Sequence, residues 1–180
     1  MFELPQLEPV KELPPLTERV LAYTDGSCRG NPGISGFGVA YYRRGILFDA
    51  IWGFSGIKTN NQSEYLALVR ALKYAREQKW PHLVIRSDSE AMVKQMNGDY
   101  RVRDAKLRQM WWHASKLSEG FESIRFEHVM RGKNRVADAL ANRGADMHRK
   151  GYAVHTQLRA SKPKIVVDSQ PQAVQELEAR

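Results

Sequence analysis

The chain has 180 residues, 42% of them hydrophobic and 27% charged, enough for one packed core but without the run of about 18 apolar residues that crosses a bilayer. Its single cysteine, Cys28, excludes an internal disulfide framework and a cysteine-based zinc cluster. The formal charge of +8 is unevenly spread: residues 1–18 carry one Lys/Arg against four Asp/Glu, residues 19–148 carry 21 against 13, and residues 149–180 carry six against three. A basic core suits a binder of phosphate backbones, and equally a basic protein with no such partner. The Pro- and Glu-rich start lacks the basic-then-apolar order of a secretory signal, so a soluble, cytoplasmic monomer with no membrane contact is expected.

Four prolines and no periodicity make residues 1–18 an extended lead-in. The core, residues 19–148, opens with the β-favouring run Val20-Leu21-Ala22-Tyr23-Thr24, after which three glycines and a proline predict that the strand leaves the sheet at Asp25. Asp25 is then either a turn-former or a carboxylate aimed at a ligand. Residues 34–42 and 46–53 read as second and third strands joined by Arg43-Arg44-Gly45, an antiparallel meander.

The period then changes from 2 to 3.6. Asn61 is placed as the cap of a helix over about residues 62–78, with Leu68, Ala71, Leu72 and Ala75 on its apolar stripe and Glu64 on the same stripe. A carboxylate on a buried face costs free energy unless a hydrogen bond or a cation meets it. Residues 82–86 form a short apolar strand that stops at Ser87-Asp88-Ser89 and, following a helical crossover, runs parallel to the first. Helices over residues 90–96 and 104–117, a fifth strand over 121–129 and a last helix from about Asn134 complete the order βββαβααβα. On that last helix Asp138 shares a face with Ala141 and Ala145. This is an α/β pattern: a five-stranded mixed sheet, strands 1–3 antiparallel and 4 and 5 parallel to 1, flanked by helices. The basic segment 149–180 is less patterned, with a short strand at 164–168 and a helix at 171–180 as its expected elements.

With these strand directions Asp25, Glu64, Asp88 and Asp138 approach one end of the sheet. Four crowded carboxylates repel one another and call for a compensating charge, and an oxygen-only set suits Mg²⁺ or Mn²⁺. In a basic protein that chemistry points to phosphodiester hydrolysis with two ions about 4 Å apart. Taken singly, Asp88 also reads as a helix cap, Glu64 as a partner of a lysine and Asp138 as a surface residue.

The motifs Thr24-Asp25-Gly26-Ser27-Cys28 with Gly30-Asn31-Pro32-Gly33, Thr59-Asn60-Asn61-Gln62-Ser63-Glu64-Tyr65, Ser87-Asp88-Ser89 and Ala137-Asp138-Ala139-Leu140-Ala141 closely resemble those of type 1 ribonuclease H, in that family's order from about Arg19 to Met147. The resemblance implies a ribonuclease H-like fold and a metal-dependent endonuclease that cuts the RNA strand of an RNA–DNA hybrid. It places the metal-binding and catalytic carboxylates on Asp25, Glu64, Asp88 and Asp138, with two Mg²⁺ or Mn²⁺ ions in the substrate complex. Asp25 is then shared by both ions, and Asp88 contacts the ion that positions water. It also implies nucleic-acid contacts at Cys28, Asn31, Asn60 and Asn61 in the minor groove and at Thr59 near a DNA phosphate. A hybrid-binding module without catalysis is the reading from another class, and double-stranded RNA remains open as an additional substrate.

Three features depart from many members. Glu90 stands where a glutamine is common, two residues after Asp88. The segment before the last carboxylate, Met130-Arg131-Gly132-Lys133-Asn134, has no histidine, and Arg131 or Lys133 is expected to meet the phosphate instead, while His128 is expected to be structural. A basic protrusion between the helices after Asp88 is missing, leaving Arg101, Arg103, Lys106 and Arg108 as a shorter rim beside Trp112, or as an ordinary solvated helix face.

Overall fold

The computed structural model describes residues 18–147 and the backbone of two further strands, His155–Arg159 and Lys162–Ile165. In chain order the elements are β1 (Val20–Gly30), β2 (Gly33–Arg43), β3 (Ile46–Lys58), α1 (Asn60–Glu77), β4 (His82–Ser87), α2 (Glu90–Met96), α3 (Ala105–Ser118), β5 (Ser123–His128), a 3-10 turn (Arg131–Lys133), α4 (Arg135–Met147), β6 (His155–Arg159) and β7 (Lys162–Ile165). No described helix is long and apolar enough to cross a membrane.

The strands lie in the order β5-β4-β1-β2-β3-β6-β7. The expected five are all present: β1, β2 and β3 form the antiparallel meander, and β4 and β5 run parallel to β1. Beyond that expectation, β6 pairs antiparallel with β3, Ala50 opposite Leu158, and β7 pairs with β6. A strand was expected at 164–168; the strand found ends at Ile165, and 166–168 and the expected helix at 171–180 lie outside the described residues, as does 1–17 of the lead-in.

Alternation along β2 divides the molecule into layers. Phe37, Val39 and Tyr41 point to the face covered by α1 and α3, where they join Leu68, Leu72, Trp80, Ile85 and Ala114 in the main core. Gly36, Gly38 and Ala40 point to the opposite face, where Ala40, Ala50 and Trp52 pack on Leu140 of α4.

Two local expectations are corrected. Asp25 does not end its strand, because β1 continues to Gly30 and stays paired with β2 down to Gly30 opposite Gly33. What stops beside it is β4, whose last paired position with β1 is Arg86 opposite Tyr23. The glycines admit neighbouring backbone rather than break the strand: a Cβ on Gly26 would lie 2.2 Å from the Ser63 carbonyl carbon, and one on Gly38 would lie 2.3 Å from the Ala137 carbonyl oxygen. The cap of α1 is Thr59, not Asn61. Thr59 Oγ1 accepts from the Gln62 N–H at 3.3 Å while Gln62 Oε1 accepts from the Thr59 N–H at 2.9 Å, a reciprocal capping box.

Gly36 is held tightly against α4, since a Cβ there would meet the Ala145 nitrogen at 2.2 Å and the Ala141 oxygen at 2.3 Å. Gly36→Ala is therefore expected to lower the unfolding free energy in urea by about 1–3 kcal/mol, as overpacking does. Gly132→Ala, with nothing within 4 Å of its Cβ, should change it by less than about 0.5 kcal/mol.

Candidate metal centre and nucleic-acid surface

Asp25 sits in β1 opposite Gly38, Glu64 in the second turn of α1, and Asp88 just past the end of β4. One carboxylate oxygen from each falls within 4.8 Å of the others. Parallel register brings Asp88 level with Asp25, because Tyr23 pairs with Arg86 two residues earlier on both strands. Gly26 lets the start of α1 approach β1, which delivers Glu64. Asp138, in the first turn of α4, lies near Asp25 and raises its pKa, but is not among the three carboxylates that crowd within 4.8 Å.

The cluster is poorly solvated: Asp25 is 6% and Glu64 7% exposed. Burial first, then the charges of Asp88 and Asp138, push Asp25 up to about 7 from its ordinary 3.8. Burial, then Asp25 and Asp88, raise Glu64 well above the carboxylate range. The Gly26 backbone N–H, near both carboxylates, opposes this only in part. Oε2 of Glu64 is buried with no hydrogen-bond partner. A buried, unpartnered oxygen among acids that repel one another is the environment a hard divalent cation neutralises, and the donor set, oxygen alone, fits Mg²⁺ or Mn²⁺.

Asn134 was not singled out by its sequence context. It is 1% exposed at the start of α4, and its Nδ2 donates to the Thr24 carbonyl at 3.0 Å and to Asp88 Oδ1 at 2.8 Å. One amide therefore orients Asp88 against the strand that carries Asp25. A lone Asn before a helical run reads as a cap, and nothing local in the sequence shows that its amide reaches across the sheet.

The expected nucleic-acid contacts fall into two patches. On the first, the Asn31 side chain accepts from the Asn60 N–H at 3.1 Å, joining the β1–β2 turn to the start of α1, and Asn60 and Asn61 are exposed. Cys28 is half-buried beside them with its thiol directed at the Lys58 carbonyl, 3.1 Å away, and Thr59 is half-buried with its hydroxyl engaged in the cap. On the second, the 3-10 turn exposes Arg131 and Lys133, and Arg131 Nη2 lies 3.6 Å from Asp138 Oδ1.

His128, expected to be structural, ends β5 opposite Ser87, is exposed, and lies close enough to Glu90 to lower that carboxyl's pKa slightly. Glu90 itself is paired with Lys94 at 2.7 Å, which is the larger cause of the lowering. Along the rim Arg101, Arg103, Lys106 and Arg108 are exposed, as is Trp112 at 59%, whereas Trp111 is half-buried with its Nε1 donating to the Gln95 carbonyl.

Residues 23–144 match the profile of a family described as reverse transcriptase-like. A ribonuclease HI from Halobacterium salinarum is 39% identical over 129 residues, which are 71% of this chain and 65% of that protein's length. The chain belongs to the type 1 ribonuclease H family. Among solved structures, RNase H1 from the same halophilic archaeon superposes with a TM-score of 0.70 at 37% identity, covering 72% of this chain and 99% of the other. LC11-RNase H1 in complex with an RNA/DNA hybrid gives 0.69 at 33% identity, covering 72% and 99%. In this chain residues 97–104 alone link α2 to α3.

The raised acids fix a sign for the pH dependence of stability. Between about pH 4 and 7 the folded chain holds a proton on Asp25 that the unfolded chain releases, so without divalent ions stability falls as pH rises through that window. Thermal melts in EDTA should show this fall. Asp25→Asn should flatten it and melt higher than the parent at pH 8, and Mg²⁺ should flatten it in the parent.

Proposed function

We propose that the chain is a divalent-metal-dependent endonuclease that hydrolyses the RNA strand of RNA–DNA hybrids, with Asp25, Glu64, Asp88 and Asp138 as its metal ligands. The observation that carries this reading is the convergence of Asp25, Glu64 and Asp88 within 4.8 Å in a site where a Glu64 oxygen has no partner. The hybrid bound in the LC11-RNase H1 complex supports the substrate.

Asp25, whose carboxyl interacts with Asp88, Asp138 and Glu64, would be the ligand shared by two ions, Glu64 and Asp138 would each complete one side, and Asp88 would serve the ion that positions water. When bound, Mg²⁺ or Mn²⁺ supplies a nucleophile from water at neutral pH and charge stabilisation at the leaving oxygen. The chain does the rest. Asn134 holds Asp88 in one orientation by donating to its Oδ1. Asn31, Asn60, Asn61 and Cys28 offer short polar groups to 2′-OH groups and base edges in a wide, shallow groove, and Thr59 lies at the level of a backbone phosphate. Arg131 and Lys133 meet the phosphate on the other side. Arg131 is 83% exposed at the side chain and is tied only loosely to Asp138, so a phosphate draws it away at small cost. Double-stranded RNA presents the same groove and is a secondary substrate in this reading.

A labelled hybrid incubated with Mg²⁺ is expected to lose its RNA strand, and to stay intact with EDTA or with Asp25→Asn. Retention of intact hybrid with no cleavage under any metal condition identifies a binding module instead. Arg131→Ala should raise KM for the hybrid by about three- to tenfold, the loss of one charged contact. Turnover and affinity both unchanged would remove Arg131 from the substrate surface.

A further inference from the structure

The contacts that set the depth of α4 on the sheet are small and non-directional: Gly36 and Gly38 against Ala137, Ala141 and Ala145, and Gly144 against the backbone of Gly53. Leu140, packed among Ala40, Ala50 and Trp52, adds apolar contact but no polar tie along the helix axis, where one residue of slip is about 1.5 Å. Directional polar ties resist that slip, and two of them bracket Asp138. One turn before it, Asn134 binds the Thr24 carbonyl. One turn after it, Asn142 accepts from Ser27 Oγ at 2.7 Å and donates through Nδ2 to the backbone carbonyl of Asp138 itself at 2.9 Å.

Ser27 lies two residues beyond Asp25 on β1, so both face α4, opposite Gly36 and Gly38 respectively. Asn134, Asp138 and Asn142 follow at intervals of four on the facing side of the helix. The acid from β1 and the acid from α4 thus sit inside a frame of hydrogen bonds between the same two elements. Asn is also a weaker helix former than Ala, so its place in the middle of α4 is not explained by helix propensity.

We propose that Ser27 and Asn142 are positioning residues: their hydrogen bond, passed on to the Asp138 carbonyl, fixes α4 lengthwise and so sets the reach of Asp138 toward the metal centre. The inference rests on the metal-site reading above and adds to it two residues that touch neither ion nor substrate. Displacements of about 1 Å at such a site are costly to turnover.

The test uses the full-length chain with Ser27→Ala, Asn142→Leu, the double variant and Ser27→Thr, which keeps the hydroxyl. Calorimetric titration with MnCl₂ in the absence of nucleic acid is the first readout; kcat and KM on a hybrid at limiting Mn²⁺, with thermal melts, are the others. Ser27→Ala and Asn142→Leu should each weaken Mn²⁺ binding about three- to tenfold, the range of one lost hydrogen bond. The double variant should be no worse than Asn142→Leu alone, since that change already removes the Ser27 contact. Ser27→Thr should bind as the parent does, and KM for the hybrid should move less than about twofold while kcat falls. Mn²⁺ affinity unchanged in Ser27→Ala and Asn142→Leu, whatever their melting temperatures, overturns the positioning role alone. A parent protein that takes up no Mn²⁺ overturns the metal site itself and this inference with it.

Discussion

Mutual repulsion among acids that the fold keeps out of water is the constraint on which the structure turns. Asp25 and Glu64 lose most of their hydration in the folded chain, and each feels Asp88 at close range. Such an arrangement forms only if the rest of the molecule leaves the side chains no room to separate. Glycine supplies that rigidity. By omitting a side chain at Gly26 the strand β1 accepts the backbone of α1 against it, and Gly36 and Gly38 let α4 press on the other face. Two helices on opposite faces are thereby brought close enough to one strand for their carboxylates to meet at its middle.

Around this acidic centre the charge is reversed. Exposed Arg131 and Lys133 in the turn before α4, Arg101 and Arg103 between α2 and α3, and Lys106 at the start of α3 give basic groups near it, beside the acids Asp99 and Asp104. Glu90, two residues after Asp88, is held by Lys94. A polyanion approaching the site meets a basic excess at this surface before the carboxylates, where divalent ions complete the balance. The overall charge of +8 is the coarse sign of this division of labour.

Much of the arrangement was legible in the chain because it is local. Alternation and helical periodicity gave the order of elements, and Glu64 stood out as a charge on an apolar stripe that includes Leu68, Ala71 and Leu72, all fully buried in the fold. Asp88 followed from the rule that a strand after a helical crossover is parallel to its predecessor. Other features depend on what a segment meets. The glycines after Asp25 read as a strand break because a turn and a close helix approach use the same residue, and only the position of α1 distinguishes them. The α1 cap was misplaced although Thr59-Asn60-Asn61-Gln62 spells a capping box, so that error lay in preferring the nearer Asn. The strand at His155–Arg159 is specified by the free edge of β3, and the amides of Asn134 and Asn142 by partners 110 and 115 residues away. No window of sequence contains those partners.

The central claim is that divalent ions occupy the space the acids enclose. Anomalous diffraction from crystals grown with Mn²⁺ tests it most directly. The account predicts a manganese peak bonded to oxygens of Asp25, Glu64 and Asp88, with Glu64 Oε2 or its neighbouring oxygen among the ligands. A map with no anomalous peak at these carboxylates, at Mn²⁺ concentrations that support cleavage, would contradict it.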